Sequence, residues 1–219
     1  MMKFIKNFRF GRFIWTLFVT YYFINFARNF FDDAAPDRAI IPTVLFFIVT
    51  IWLAFEYYFG SPFFQSGLVE MSPIWRGFFA LFFYPYVGFC VADYVWFQWG
   101  QVRQLYPTLN LIGILVFAIG VLLRLYSLFL LLHLPDNKFV AKGIYKHCRQ
   151  PRYLATMIQL IGIALALSSY WGLIFALGIG IPLILVEIRY EEKVLAEHFK
   201  TEYINYLKNV PRLFPKLKK

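Results

Sequence analysis

Charge is scarce in this chain: only 16% of its 219 residues are Asp, Glu, Lys or Arg, while 60% are hydrophobic and 22% aromatic. That balance excludes an ordinary soluble domain and points to a polytopic membrane protein. Acidic residues are the scarcer sign, 12 against 22 Lys and Arg, for a net charge of +10. Such an excess can signal nucleic acid, but its placement argues for membrane orientation. The basic residues gather before the first apolar run (Lys3, Lys6, Arg9, Arg12), in a central loop (Lys138, Lys142, Lys146, Arg149, Arg152) and after Glu191 (Lys193, Lys200, Lys208, Arg212, Lys216, Lys218, Lys219). No nucleic-acid partner is expected. Two cysteines, Cys90 and Cys148, are too few for a disulfide framework and read as free thiols. His133, His147 and His198 share no metal-ligand spacing, so no metal site is expected. Gly178-Ile-Gly180 has no strand before it and reads as close helix packing, not a nucleotide fingerprint. A cleavable leader is not expected either, since the first apolar run lacks a small-residue cleavage site.

The apolar runs predict an all-α, polytopic transmembrane helical bundle of about six spans. They lie at Phe13 to Phe31, Ala39 to Phe59, Ile74 to Phe97, Leu109 to Leu134, Tyr153 to Leu167 and Trp171 to Tyr190. The fifth is at the lower limit for a crossing, so five spans is the alternative. Threading them in order puts all three basic clusters on one side. The N-terminus, the central loop and the C-terminus are therefore expected in the cytosol, with Asp32 to Asp37 outside. No linker or internal repeat divides the chain, so residues 1–219 read as one membrane domain. Past Glu191, Leu195, Phe199, Tyr203 and Tyr206 share a stripe opposite Lys193, Glu197, Lys200 and Lys208, the pattern of an amphipathic helix lying along the interface.

Polar chemistry concentrates in two places. Gly143-Ile-Tyr-Lys-His-Cys-Arg-Gln-Pro-Arg-Tyr153 is a basic, aromatic loop between apolar runs. Pro151 suits the first position of a helix and forces Gln150 out of helical dihedrals, so free N–H groups at that helix start, with Lys146, Arg149 and Arg152, form a candidate anion site. The plainer reading is a positive-inside anchor. Glu187 and Glu191 lie four residues apart on one helical face, with Glu192 beside them. Clustered carboxylates raise a proton affinity or recruit a cation such as a sulfonium or ammonium; the plainer reading is a solvated helix end paired with Arg189 and Lys193. Arg124 lies deep in an apolar run and should face the bundle interior. Glu56 and Arg76 are read as a structural pair, and Asp93 as non-catalytic.

The stretch from Asn137 through Tyr145 to Tyr153, followed by an apolar hairpin and then Glu191-Glu192, Leu195, Phe199, Glu202-Tyr203, Tyr206 and Val210-Pro211, resembles the isoprenylcysteine carboxyl methyltransferases. It is similar, more loosely, to the membrane phospholipid methyltransferases. The resemblance runs from Gly120 and Arg124 onward, a methyltransferase-like half spanning residues 120–215. It implies S-adenosylmethionine as methyl donor and a lipophilic small molecule or prenyl lipid as acceptor. The implied donor-binding residues are Asn137, Lys138, Phe139, Val140, Tyr145, Gln150, Pro151, Arg152, Tyr153, Glu191 and Glu192; the candidate catalytic residues are Glu191, Arg189 and Glu187. Two departures stand out. The family's Arg-His-Pro is Arg149-Gln150-Pro151 here, and the Arg four residues before the first Glu is replaced by Glu187. Arg189, about 200° round the helix from that slot, does not replace it. The first loses a titratable imidazole; the second, loss of an Arg that would suit a substrate carboxylate, turns the expectation from a prenylcysteine carboxylate toward an amine, thiol or neutral lipid. A sterol-reductase-like membrane reductase and a non-catalytic lipid-binding membrane protein are the alternatives.

Overall fold

The structure is a computed structural model that describes residues 36–59, 78–132 and 139–213. Among these residues the regular elements are helical. Helix α1 spans Pro36–Phe59. A π-helical turn, Phe78–Phe83, feeds α2, Tyr84–Ala92, which ends in a second π turn, Asp93–Phe97. Helix α3 is Thr108–Leu132 and α4 is Pro151–Ala166. Helix α5, Tyr170–Phe175, a π turn at Ala176–Gly180 and α6, Ile181–Asn209, follow one another as a helical stretch of 40 residues. The first apolar run, the Glu56–Arg76 pairing and the residues His133, Asn137 and Lys138 fall wholly or partly outside the described residues.

Two helical stretches, Thr108–Leu131 and Tyr170–Asn209, are long and apolar enough to cross a membrane; Ile40–Leu53, Leu81–Ala92 and Pro151–Ala166 are shorter apolar helices. The apolar part of the second stretch ends at Tyr190, where Glu191 and Glu192 begin its charged part, and its helical path breaks at Lys200.

Glycine decides how α3 and α4 pair. A Cβ on Gly113 would sit 2.0 Å from Ala166 N, one on Gly162 2.5 Å from Phe117 N, and one on Gly120 2.8 Å from Gln159 Cγ. Residue numbers rise along α3 as they fall along α4, which makes the pair antiparallel, with backbones closer than any side chain at these positions permits. Of the pair at 178 and 180, only Gly180 serves packing: its Cβ would meet Leu160 and Phe82 at 2.8 Å, whereas Gly178 faces open space.

Trp52 of α1 fills the middle, edge-on to Phe83 and Phe117. Arg124 closes this layer as expected of a buried cation. It is 1% exposed, lies 5.7 Å above the Trp52 ring, and its Nη1 donates to Thr156 Oγ1 at 2.6 Å. At one end of the bundle Asp93 ties the chain together: its Oδ1 accepts from the Trp99 and Gly100 amides, and Ser169 Oγ donates to Oδ2. Asn110 Nδ2 there donates to Ala166 O and Ser168 Oγ. With its oxygens committed to backbone and Ser169, Asp93 is a structural clamp. The loop with the basic motif lies at the opposite end.

Candidate active site

Pro151 opens α4, and Gln150 ahead of it sits at φ −124°, ψ 54°, outside helical dihedrals as the proline requires. Its amide donates to Arg212 O and its carbonyl accepts from Leu154 N. The loop before it winds into a 3₁₀ turn, Gly143–Lys146, which starts at φ +59° on Gly143, a value glycine tolerates without a steric penalty. This turn buries Tyr145 and leaves Lys146 exposed. Burial pushes the Tyr145 hydroxyl well above its ordinary range, so it stays neutral.

Across from this loop stands the polar part of α6. Between them lies a small cavity of about 40 Å³ that opens to the outside. The loop and the start of α4 contribute Phe139, Val140, Tyr145, Arg149, Gln150, Arg152 and Tyr153; Leu131 closes the top from α3. From α6 come Glu191, Leu195, Tyr203 and Tyr206. Phe139 packs against Phe199, Tyr203 and Tyr206 with ring centroids 5.2–5.3 Å apart, an aromatic wall on one side. Tyr206 OH donates to Tyr145 O at 2.6 Å, locking that wall to the loop.

Glu191 is the carboxylate in the cavity wall. Burial drives its carboxyl up from 4.5 to about 7; the Arg152 charge and a hydrogen bond from Tyr153 pull it down, and Glu187 and Glu192 push it up again. Its Oε2 is buried and has no hydrogen-bond partner among the described residues. A buried acceptor left open in a cavity wall fits a donor or a cation brought by a ligand.

The other expected residues divide. Glu187 is 1% exposed, one turn from Glu191, and acts on it by charge without lining the cavity. Arg189 is exposed, turned away from both. Pro151 is buried beneath the loop as the helix start. Glu192 is clamped between two arginines: Arg212 Nε and Nη2 reach its Oε2 at 3.0 and 2.7 Å, and Arg149 Nη2 lies 3.3 Å from Oε1. Tyr203 and Tyr206, expected on a face lying along the interface, line the cavity instead, while Lys193, Glu197, Lys200 and Lys208 are exposed as the amphipathic pattern requires. The i, i+3 spacing of the two tyrosines was the signal for that shared inward face. Nothing in the sequence marked Arg212, whose partner lies 20 residues away.

The segment holding this cavity has known relatives. Residues 109–202 match the phospholipid methyltransferase family. The match takes in α3, the basic loop, α4 and the helical stretch as far as Glu202, bearing out the resemblance to the isoprenylcysteine and phospholipid methyltransferases. Over 121 residues the chain is also 29% identical to the cobalt-zinc-cadmium resistance protein CzcN of Cupriavidus metallidurans, an alignment covering 53% of this chain and 52% of that protein. The chain thus spans about half the length of this curated relative.

Proposed function

We propose that the protein is an integral membrane methyltransferase that takes S-adenosylmethionine as donor and methylates a lipophilic acceptor, in the manner of the isoprenylcysteine carboxyl methyltransferases. The observation that carries this reading is the Glu191 carboxylate, with Oε2 open, in the wall of a cavity between the α4 start and the aromatic face of α6. The residues present fit the donor: Glu191 suits its ammonium or sulfonium, Arg149 and Arg152 beside the α4 N–H groups suit its carboxylate, and Phe139, Tyr203 and Tyr206 suit a planar base. When bound, that group supplies an electrophilic methyl. The chain's own residues bind and orient: Leu131, Val140 and Leu195 give the cavity apolar wall, and the Tyr206 bond to Tyr145 holds the aromatic wall in register.

The acceptor enters from the bilayer, where α3 and the apolar part of the Tyr170–Asn209 stretch are exposed to lipid. Glu187 stands in the slot where an Arg would suit a carboxylate, so an amine, thiol or neutral lipid is the acceptor class proposed. The positive-inside rule supports a cytosolic cavity, with the N-terminus, the central loop and the C-terminus on that side. Calorimetric titration of the full chain with S-adenosylmethionine, S-adenosylhomocysteine and reduced dinucleotide tests the reading. Binding of the first two and not the third is expected; binding of the dinucleotide alone would replace it with a reductase.

A further inference from the structure

The last turns of α6 do not continue its direction. At Lys200 the backbone adopts φ +46°, ψ −121°, a conformation that costs a non-glycine residue energy and persists only where its surroundings enforce it. Beyond this break, residues 201–213 fold back onto the loop. Leu207 O accepts from Arg149 Nη1 at 2.7 Å, Pro211 O from Arg149 N at 2.9 Å and Arg212 O from Gln150 N at 3.0 Å. Three tail carbonyls are therefore held by two adjacent loop residues that also line the cavity. One pair of side chains faces the same way: Arg212 grips Glu192 with two donors, and Glu192 spans to Arg149. Arg212 is 40% exposed against 8% for Glu192, so water reaches this contact from the tail side.

We propose that residues 201–213 are a lid on the cavity, hinged at Lys200 and latched by Arg212 on Glu192, and that Arg212 is a positioning residue which sets how often the cavity opens. Geometry supports each part. Tyr203, 2% exposed, and Tyr206 both lie on the lid and form cavity wall, so swinging the lid outward removes that wall. The bonds from the Arg149 and Gln150 amides and from Arg149 Nη1 reform with each closing, and the Arg212 contact, made with two charge-assisted donors to a carboxylate, adds most to the closed state. Only the identity of the occupant, the methyl donor, rests on the proposed function.

Cys148 reports on the lid directly. It is 2% exposed and its Sγ lies 3.5 Å from Arg212 O, beneath the tail, while Cys90, 0% exposed, lies in the bundle core. The experiment is maleimide labelling of the full chain in lipid nanodiscs, with each cysteine followed by mass spectrometry. Arg212→Gln is expected to speed Cys148 labelling about tenfold, the size expected when a charge-assisted contact is lost. Arg212→Lys, which keeps the charge but loses the planar two-donor fork, should fall between it and wild type. Cys90 should label at one rate throughout. Equal Cys148 rates in wild type and Arg212→Gln would overturn the latch, and a parallel rise at Cys90 would show general loosening and overturn the lid. S-adenosylhomocysteine should slow Cys148 labelling in wild type and do so less in Arg212→Gln. Failure to protect wild type would overturn the donor assignment, with the Arg212 comparison still deciding the lid.

Discussion

If the Glu191 carboxylate receives the donor's ammonium, which S-adenosylhomocysteine shares, the affinity of the site for S-adenosylhomocysteine must follow its ionisation. Burial is the leading cause of its raised value of about 7, so the carboxyl is mostly neutral at pH 6 and mostly ionised at pH 8. The ionised fraction changes about tenfold between these pH values, equivalent to about 1.4 kcal/mol of binding free energy. Wild-type protein should therefore bind S-adenosylhomocysteine about ten times more tightly at pH 8 than at pH 6, by calorimetric titration. Glu191→Gln should bind more weakly at pH 8, with a flat profile. Stability moves the other way. Because the folded value lies above the ordinary 4.5, the native chain holds more protons than the unfolded one between pH 4.5 and 7, and this contribution to stability is lost as pH rises through that window. The loss amounts to about 3 kcal/mol at most. Wild-type affinity that is level from pH 6 to pH 8, with Glu191→Gln binding equally well, would refute the assignment.

Three further outcomes are expected. Thr156→Val removes the acceptor of Arg124 Nη1 in the bundle interior and should cost about 1.5–3 kcal/mol, measured by thermal unfolding in detergent. Gly113→Ala places a methyl 2.0 Å from Ala166 N and should destabilise the α3–α4 pair by about 3 kcal/mol or more, whereas Gly178→Ala, facing open space, should change stability by less than about 0.5 kcal/mol in the same assay. Reporter fusions after Arg152 and after Lys219 should both read cytosolic and one after Asp37 external; opposite readings at Arg152 and Lys219 would remove the cytosolic cavity.

Much of this molecule was legible as pattern. The run from Leu109 becomes α3, Pro151 starts α4 and displaces Gln150 from helical geometry, and Arg124 turns inward, because hydrophobic length, proline stereochemistry and the cost of a lone buried charge act locally. The basic loop and Glu191, both set apart in the sequence as polar breaks at the ends of apolar runs, line one cavity. Three-dimensional contacts decided the rest. That Gly113, Gly120 and Gly162 would bring α3 and α4 into contact depends on which faces meet. Glu191 and Glu192 are adjacent and chemically identical, yet one lies open to a cavity while the other is gripped by Arg149 and Arg212, because successive helical positions point about 100° apart and meet different neighbours. Tyr203 and Tyr206 carry an amphipathic stripe that suits a bilayer interface and a pocket equally, and only the packing around Phe139, made from both sides of the kink at Lys200, shows which it meets. Sequence periodicity defines a face; its partner is chosen by how the chain packs, through contacts such as Arg212 to Glu192 that carry no local signature.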